Sequence, residues 1–299
     1  MNLISISDLD EADIIRLLDR ADAFKIQRYQ SKATPLAGKS LAMIFEKPST
    51  RTRVSLEVAT VELGGHPLSL SAGELQLGRG ETVADTARVL SRFVQGITAR
   101  VYSHHTVMQL AEHANVPVVN ALSDFEHPLQ ILADLMTMRR RFGHLEGLKV
   151  AWIGDGNNVC NSMILACAIM GMSIMVASPK GFEPRAQIIG QARNLGGDPK
   201  LVVDPVDAAI GADVLVTDTW VSMGDEAEEA ERLRVFGKYQ LNGDLLKLAS
   251  KDAIAMHCLP AHRGQEITDE VMDGPQSAVF DEAENRLHTS KAVLEWLMS

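Results

Sequence analysis

The chain has 299 residues, a length that suits two domains of about 150 residues each better than one. Hydrophobic residues make up 46% of it, enough to build a substantial core. The formal net charge of −10 excludes a general affinity for nucleic acids or anionic membranes, because no overall positive field attracts them.

The cysteines and the first residues indicate a reducing compartment. Cys160, Cys167 and Cys258 are odd in number and form no CxxC pair, so a disulfide framework is not expected. Cys160 and Cys167 lie on an apolar helical pattern and are expected in the core. The first residues lack the basic start and apolar run of a signal peptide, and no stretch approaches the roughly 20 apolar residues that cross a bilayer. We therefore expect a cytoplasmic protein that contacts no membrane.

Helical spacing of apolar residues alternates along the chain with short apolar runs. The first series of predicted elements comprises helix 8–29, strand 40–45, helix 49–63, strand 66–70, helix 81–93, strand 98–102, helix 107–114, strand 116–121 and helix 127–142. The second comprises strand 149–156, helix 158–170, strand 173–178, helix 183–194, strands 212–218 and 253–259, and a final helix 289–298. Such alternation predicts parallel sheets with helices on both faces. The expected fold class is α/β, with two Rossmann-like doubly wound parallel-sheet domains joined by helices.

The break between the two series lies near residues 143–148. It predicts a first domain of residues 1–146, with the C-terminal helix 286–299 packing back on it, and a second domain of residues 147–285. In such folds ligands bind beyond the carboxyl ends of the strands, so the loops after the strands are the expected sites.

The segment FEKPSTRTR, residues 45–53, joins a predicted strand to a predicted helix. The free amides of a first helical turn favour an anion there. Hydroxyl and guanidinium donors are concentrated in the same segment; they are Ser49, Thr50, Arg51, Thr52 and Arg53. Each alone would fit a capped helix with solvated arginines. Together they favour a phosphate site, although the GxxxxGK[ST] pattern of a nucleotide-binding loop is absent.

His127 and Gln130, in DFEHPLQILAD, lie three positions apart at a predicted helix start and therefore share a face. A histidine alone at this place is usually structural. A histidine and a glutamine together at a strand end could polarise a carbonyl oxygen and bind an amide NH2.

Three loops of the second series also follow predicted strands. Asp218, in TDTWVSMGDE, could pair with an ammonium group, although an ordinary turn before an acidic helix fits as well. His257, Cys258 and His262, in MHCLPAHRG, invite a metal site, which is disfavoured because no matching ligand pair stands nearby. Covalent catalysis by Cys258 is possible but not required. The loop GDGNN lacks the third glycine of a dinucleotide site, so its asparagines could instead bind a polar substrate.

Taken together, these segments resemble the aspartate/ornithine carbamoyltransferase family. STRTR and HPLQ resemble its two carbamoyl-phosphate signatures, and DTWVSMG and HCLP resemble its ornithine-specific branch. The resemblance covers nearly the whole chain, with four motifs in the family's order and spacing. Two departures are small: Thr82 follows QLGRGE where serine is common, and the first helix lacks a preceding His-Phe-Leu.

The resemblance implies a role for each matching residue. The implied carbamoyl-phosphate contacts are Ser49, Thr50, Arg51, Thr52, Gln76, Arg100, His127, Gln130, Cys258, Leu259 and Arg286, with Gln76 lent by a neighbouring subunit. The implied ornithine contacts are Asn158, Asp218, Ser222 and Met223. The implied catalytic residues are Arg100, His127, Asp218 and Cys258. Thr52, Arg100 and His127 would surround the carbamoyl oxygen.

The implied reaction moves the carbamoyl group of carbamoyl phosphate to the δ-amine of L-ornithine, giving citrulline and phosphate, with arginine biosynthesis as the expected context. The resemblance implies no metal and no organic cofactor. It also implies a homotrimer or a multiple of trimers, with the active site between the domains. The close alternatives are transferases acting on acetylornithine or putrescine. A dinucleotide-dependent oxidoreductase and a non-catalytic carbamoyltransferase-like regulator are alternatives from other classes. The intact DTWVSMG favours free ornithine, whose α-ammonium group Asp218 would satisfy.

Overall fold

The computed structural model describes residues 1–30, 33–71, 73, 75, 80–221 and 226–299. The chain divides into two compact units, unit 1 with Met1–Met136 and Glu284–Ser299, and unit 2 with Thr137–Ala283. The chain passes from unit 1 to unit 2 within one helix and returns within its last helix. The sequence-based boundary between residues 146 and 147 falls after the first of these helices.

In unit 1 helices and strands alternate after a short 3-10 turn, Ile6–Asp8. The strands are β1 (Ser40–Phe45), β2 (His66–Ser71), β3 (Gly96–Arg100) and β4 (Val118–Leu122). The helices that begin in unit 1 are α1 (Glu11–Ile26), α2 (Thr50–Glu62), α3 (Val83–Leu90), α4 (His104–His113) and α5 (Pro128–Phe142).

In unit 2 the same alternation continues. The strands are β5 (Lys149–Ile153), β6 (Ser173–Ala177), β7 (Lys200–Val202), β8 (Val214–Thr217) and β9 (Ile254–His257). The helices that begin in unit 2 are α6 (Asn158–Ile169), α7 (Ala186–Asn194), α8 (Pro205–Ala209), α9 (Glu229–Phe236), α10 (Gly243–Leu246), α11 (Asp269–Met272) and α12 (Val279–Met298).

Each unit contains a parallel sheet whose strand order reverses once. The order is β2-β1-β3-β4 in unit 1 and β7-β6-β5-β8-β9 in unit 2. The reversals lie between β1 and β3 and between β5 and β8, where the loops after the strands diverge and leave room for a ligand. The predicted α/β class with two parallel sheets is confirmed.

Burial explains why the central strands could be recognised in the sequence. All five residues of β3 are buried, as are five of the six in β1. Cys160 and Cys167 are buried on α6, as predicted, and burial raises the pKa of both thiols. Strand β7 was not predicted, because it has three residues and none of them is fully buried. The short helices α8, α9, α10 and α11 were not predicted either. No helix in the described ranges has the length and apolar character that crossing a bilayer requires.

Candidate active site

The segment after β1 forms a helix start that favours an anion. Ser49 caps α2, and its Oγ accepts a hydrogen bond from the Thr52 N–H at 3.3 Å. The amides of Thr50 and Arg51 lie in the first turn, where the helix offers them no carbonyl. Their partial positive charge adds to the helix dipole and favours a negative ligand.

The two arginines of this segment have different surroundings. Arg51 is half-buried, and its Nε is buried with no hydrogen-bond partner in the part of the chain that the structure describes. A buried donor left in this state is costly unless a ligand satisfies it. Arg53 has a side chain 55% exposed and pairs with Glu57 at 3.1 Å, one turn along the helix. Of the two arginines, Arg51 is therefore the better candidate for the predicted phosphate donor, because Arg53 is already paired with Glu57 on the helix surface.

Thr52 joins the helix start to the end of the chain. Arg286, on α12, donates from Nη2 to Thr52 Oγ1 at 2.6 Å, and both residues are buried. Because the hydroxyl oxygen accepts this bond, its hydrogen can be donated to a ligand oxygen. Two residues 234 positions apart thus form one donor group.

Arg100 ends β3 and His127 directly precedes α5, and both are buried. Burial lowers the pKa of His127 well below its ordinary value, and the positive charges of Arg286 and Arg100 lower it further. The imidazole is therefore neutral at pH 7 and can donate one ring proton to a ligand oxygen. Because the charges of Arg100 and Arg286 both act on the imidazole ring, both arginines lie near it.

Gln130, in the first turn of α5, is oriented by a residue that sequence reasoning missed. Its Nε2 donates to Asp134 Oδ1 at 2.8 Å, and both side chains are buried. With the amide nitrogen facing the carboxylate, the side-chain oxygen is the atom suited to accept from a carbamoyl NH2 group. The spacing of four residues on one helix face was a signal available in the sequence.

The turn before His127 is held by Glu126, which sequence reasoning also missed. Glu126 is 1% exposed, and its Oε2 accepts a hydrogen bond from the Ile6 N–H at 3.0 Å. Its backbone carbonyl accepts from the Asn120 side chain at 3.3 Å. The 3-10 turn near the start of the chain is thereby tied to the residue next to His127.

In unit 2, the loops after β5, β8 and β9 meet at Asp218. Its carboxylate accepts hydrogen bonds from Asn157 Nδ2 at 2.7 Å, from the Thr219 N–H at 2.8 Å and from Cys258 Sγ at 2.9 Å. Asn157 also caps α6 through its side-chain oxygen. Asn158, the predicted ornithine contact, is half-buried at the first position of α6. Its neighbour Asn157 makes the hydrogen bond to Asp218.

The turn after β9 is fixed by a buried histidine. Leu259 has a φ of +59°, a left-handed conformation that costs a leucine about 1 to 2 kcal/mol. Its N–H donates to His257 Nδ1 at 2.9 Å, so the ring proton lies on Nε2 and is donated to Glu266 Oε1 at 3.0 Å. Glu266 is fully buried, and sequence reasoning missed it.

Asp218, His257 and Cys258 form a cluster whose ligand atoms lie within 4.8 Å of one another. A metal was disfavoured from the sequence because no matching ligand pair stands nearby in it, whereas the fold brings Asp218 to His257 and Cys258. Both ring nitrogens of His257 are nevertheless engaged by Leu259 and Glu266. A metal ion would have to displace one of these hydrogen bonds.

The predicted site residues therefore fall into two groups. Unit 1 places Thr52, Arg100, His127 and Arg286 together, with Ser49, Thr50 and Arg51 at the same helix start and Gln130 one turn beyond His127. Unit 2 places Cys258 against Asp218, with Leu259 next in the chain. Gln76, Ser222 and Met223 lie outside the described residues.

Two family profiles match the chain. Residues 1–140 match the carbamoyl-P binding domain of aspartate/ornithine carbamoyltransferase, and residues 146–297 match the Asp/Orn binding domain of the same family.

Individual relatives agree along their whole length. An ornithine carbamoyltransferase from Methanoculleus marisnigri is 56% identical over 301 residues, covering 100% of this chain and 97% of the relative. The structure of ornithine carbamoyltransferase from Pyrococcus furiosus is similar with a TM-score of 0.95 and 52% identity, over 99% of this chain and 96% of that one. A structure of an N-acetyl-L-ornithine transcarbamylase is similar with a TM-score of 0.89 but 28% identity, over 99% of both chains.

The fold, the residues at both strand-order reversals and these matches over the full length lead to one conclusion: the chain belongs to the aspartate/ornithine carbamoyltransferase family.

Proposed function

We propose that this protein transfers the carbamoyl group of carbamoyl phosphate to the δ-amine of L-ornithine, giving L-citrulline and phosphate. Unit 1 would bind carbamoyl phosphate and unit 2 ornithine. The observation that carries the proposal is the group of donors in unit 1, where Arg286 bonds Thr52 at the start of α2 beside a neutral His127. This arrangement suits a small ligand with phosphate charge at one end and a carbonyl oxygen at the other.

The unit 1 residues would act mainly by electrostatic stabilisation. Carbamoyl phosphate carries its own leaving group, so no covalent enzyme intermediate is required. The neutral δ-amine attacks the carbamoyl carbon, the new C–N bond forms and the C–O bond to phosphate breaks. Thr52, Arg100 and His127 would stabilise the oxyanion, and Gln130 would accept from the carbamoyl NH2. Ser49, Thr50, Arg51 and Arg286 would hold the departing phosphate, which can take the proton that the amine loses.

The unit 2 residues would orient the amine. Asp218 is a buried carboxylate that would pair with the α-ammonium group of ornithine. Asn158, Ser222 and Met223 would complete the contacts with ornithine. Cys258 and Leu259 would lie at the reacting amine and carbamoyl group, with the Cys258 S–H bonded to Asp218. No metal or organic cofactor enters this scheme.

The wider setting belongs to the same proposal. Cleavage of a mixed carbamic–phosphoric anhydride drives the reaction towards citrulline, which favours a role in arginine biosynthesis. Three free cysteines, one of them a hydrogen-bond donor at the site, favour the reducing cytoplasm. The resemblance supports a homotrimer in which Gln76 serves a neighbouring site, and unit 1 exposes apolar side chains, Val54, Val89 and Phe93, that such an interface could cover. Light scattering should then give about three times the chain mass of 32.6 kDa, or a multiple of that trimer mass.

The decisive experiment is an amine panel. The purified protein is given carbamoyl phosphate with ornithine, acetylornithine, putrescine or aspartate, and the carbamoylated product of each amine is quantified. Citrulline should form at the highest kcat/KM, because Asp218 requires a free α-ammonium group. Faster carbamoylation of acetylornithine or putrescine would move the assignment to that amine. No product with any amine would support a non-catalytic regulator.

A further inference from the structure

Arg232, on α9, joins the two loops of unit 2 that carry the proposed ornithine-binding residues. It is 9% exposed although it lies in a segment of otherwise solvated charges. Nothing in the mechanism above uses it, and its burial therefore requires another explanation.

The guanidinium group contacts residues from both loops. Nη1 donates to Asp155 Oδ2 at 2.8 Å and to the Trp220 carbonyl at 3.1 Å. Nε donates to Glu228 at 3.1 Å, and the group stacks over the Phe182 ring at 5.0 Å. A planar fork of donors can hold these partners together, whereas a lysine ammonium could not reproduce the geometry.

These contacts lead directly to the ornithine-binding residues. Asp155 lies two positions before Asn157, whose side chain donates to Asp218 at 2.7 Å. Trp220 lies two positions after Asp218 in the other loop. Arg232 therefore holds the Asp155 side chain in one loop and the Trp220 backbone in the other, each two positions from a partner in the Asn157–Asp218 hydrogen bond.

The two carboxylates of this region, Asp155 and Asp218, have different kinds of partner. Asp155 and Asp218 both raise the pKa of the Cys160 thiol, after burial, so both carboxylates lie near the same buried sulfur. Arg232 forms an ion pair with Asp155. In the described ranges no basic side chain pairs with Asp218, whose partners are Asn157, Thr219 and Cys258. The protein thus neutralises one carboxylate and leaves the other for a cationic ligand.

We propose that Arg232 is a positioning residue for the amine substrate: by pairing with Asp155 and the Trp220 carbonyl, it fixes the two loops and makes Asp218 the single carboxylate that receives the ammonium group. This inference rests on the proposed function and adds to it a residue that touches neither substrate.

The test compares Arg232→Gln with Arg234→Gln, an exposed arginine on the same helix. Loss of a charge-assisted hydrogen bond at Arg232 should raise the KM for ornithine by about tenfold or more. The KM for carbamoyl phosphate, bound in unit 1, should stay within about twofold, as should all constants of Arg234→Gln, because an exposed substitution has little effect.

A double-mutant cycle separates positioning from folding. Asp155→Asn should also raise the KM for ornithine. The double variant Asp155→Asn with Arg232→Gln should raise this KM by less than the two single effects combined, because the ion pair between the two residues can be broken only once. Melting temperatures are measured in parallel. Equal changes in both KM values, or additive effects in the cycle, would overturn the proposal. If the wild type and Arg234→Gln form no citrulline, the proposed function itself has failed.

Discussion

Unit 1 and unit 2 have the same kind of parallel sheet, yet the side chains at their strand-order reversals carry opposite charge. In unit 1, Arg51, Arg100 and Arg286 lie around a helix start, and His127 beside them is held neutral. In unit 2 the corresponding loops converge on the carboxylate of Asp218.

The difference shows how one topology serves two kinds of ligand. The strand order determines where the loops diverge, and the side chains in those loops determine which charge is bound. Unit 1 recruits donors from α2, β3, α5 and α12, so its charge is assembled from distant parts of the sequence. Unit 2 instead orients one acidic group by three neutral donors, Asn157, Thr219 and Cys258. Substitutions in the two units should therefore affect different kinetic constants.

The largest effect is expected from Arg51→Ala. It removes a donor from the proposed phosphate group and should lower kcat/KM for carbamoyl phosphate by about 100- to 1000-fold. Arg53→Ala is the matched control, because its side chain is exposed and paired with Glu57. Steady-state citrulline assays measure both. A nearly normal rate for Arg51→Ala would remove Arg51 from the anion site.

A smaller effect, on the other unit, is expected from Cys258→Ala. Losing the S–H bond to Asp218 should lower kcat/KM for ornithine by about tenfold. Cys258→Ser keeps a donor and should retain most of the activity. The resemblance implies that Cys258 also contacts carbamoyl phosphate, but its S–H bond goes to Asp218, so calorimetric titration of each variant with carbamoyl phosphate alone should give one common affinity. A weaker affinity in Cys258→Ala would show that Cys258 serves the anion as well.

A still smaller effect is expected at Glu126, the residue before His127. Glu126→Ala removes the acceptor for the Ile6 N–H and should lower kcat by about threefold to tenfold through displacement of His127. Glu126→Gln keeps an oxygen acceptor and should stay close to wild type. The KM for ornithine should change in neither variant, and an increase confined to that constant would contradict the separation between the units.

The smallest effect concerns pH and the stability of the folded chain. Since burial and two arginines keep the pKa of His127 below its ordinary value, the unfolded chain binds a proton that the folded chain resists. Stability is therefore unaffected by His127 above its unfolded pKa of about 6.5 and falls below it, by at most about 1.4 kcal/mol per pH unit, until the folded pKa is reached. Urea unfolding between pH 7.5 and 5.5 should show a shallower decline in His127→Gln. Equal slopes in the two proteins would refute a neutral buried ring.

Sequence patterns predicted those parts of the fold in which burial follows a simple period. Strand β1 begins and ends at the predicted residues, since its apolar run stops at Glu46. The capping of α2 by Ser49 was also predicted and is confirmed by its bond to Thr52. Helix α12 starts at Val279, well before the predicted residue 289. The prediction was wrong because the first turns contain buried polar side chains, which a sequence pattern assigns to the exposed surface.

The residues that support the site were harder to predict for the same reason. Glu126, Asp134, Arg232 and Glu266 are buried charged side chains, whose burial depends on partners far along the chain or on a helix face. Composition and periodicity assign such residues to the surface. Asp134 had a local signal in its spacing from Gln130, whereas the same spacing of Arg232 from Glu228 indicated only an ion pair on the helix surface. The resemblance to a family implied residues that would touch ligands, and it did not extend to those that hold them in place.

The bond between Thr52 and Arg286 has a consequence for biosynthesis. A ribosome adds about 5 to 20 residues per second, so the 234 positions between the two take on the order of tens of seconds to translate. During that interval β1 to β4 can pair while the guanidinium partner of Thr52 does not yet exist. A nascent chain therefore lacks part of the proposed phosphate site until the whole of unit 2 has been made. Stabilisation by bound substrate can help the newly made protein only after its last helix has emerged.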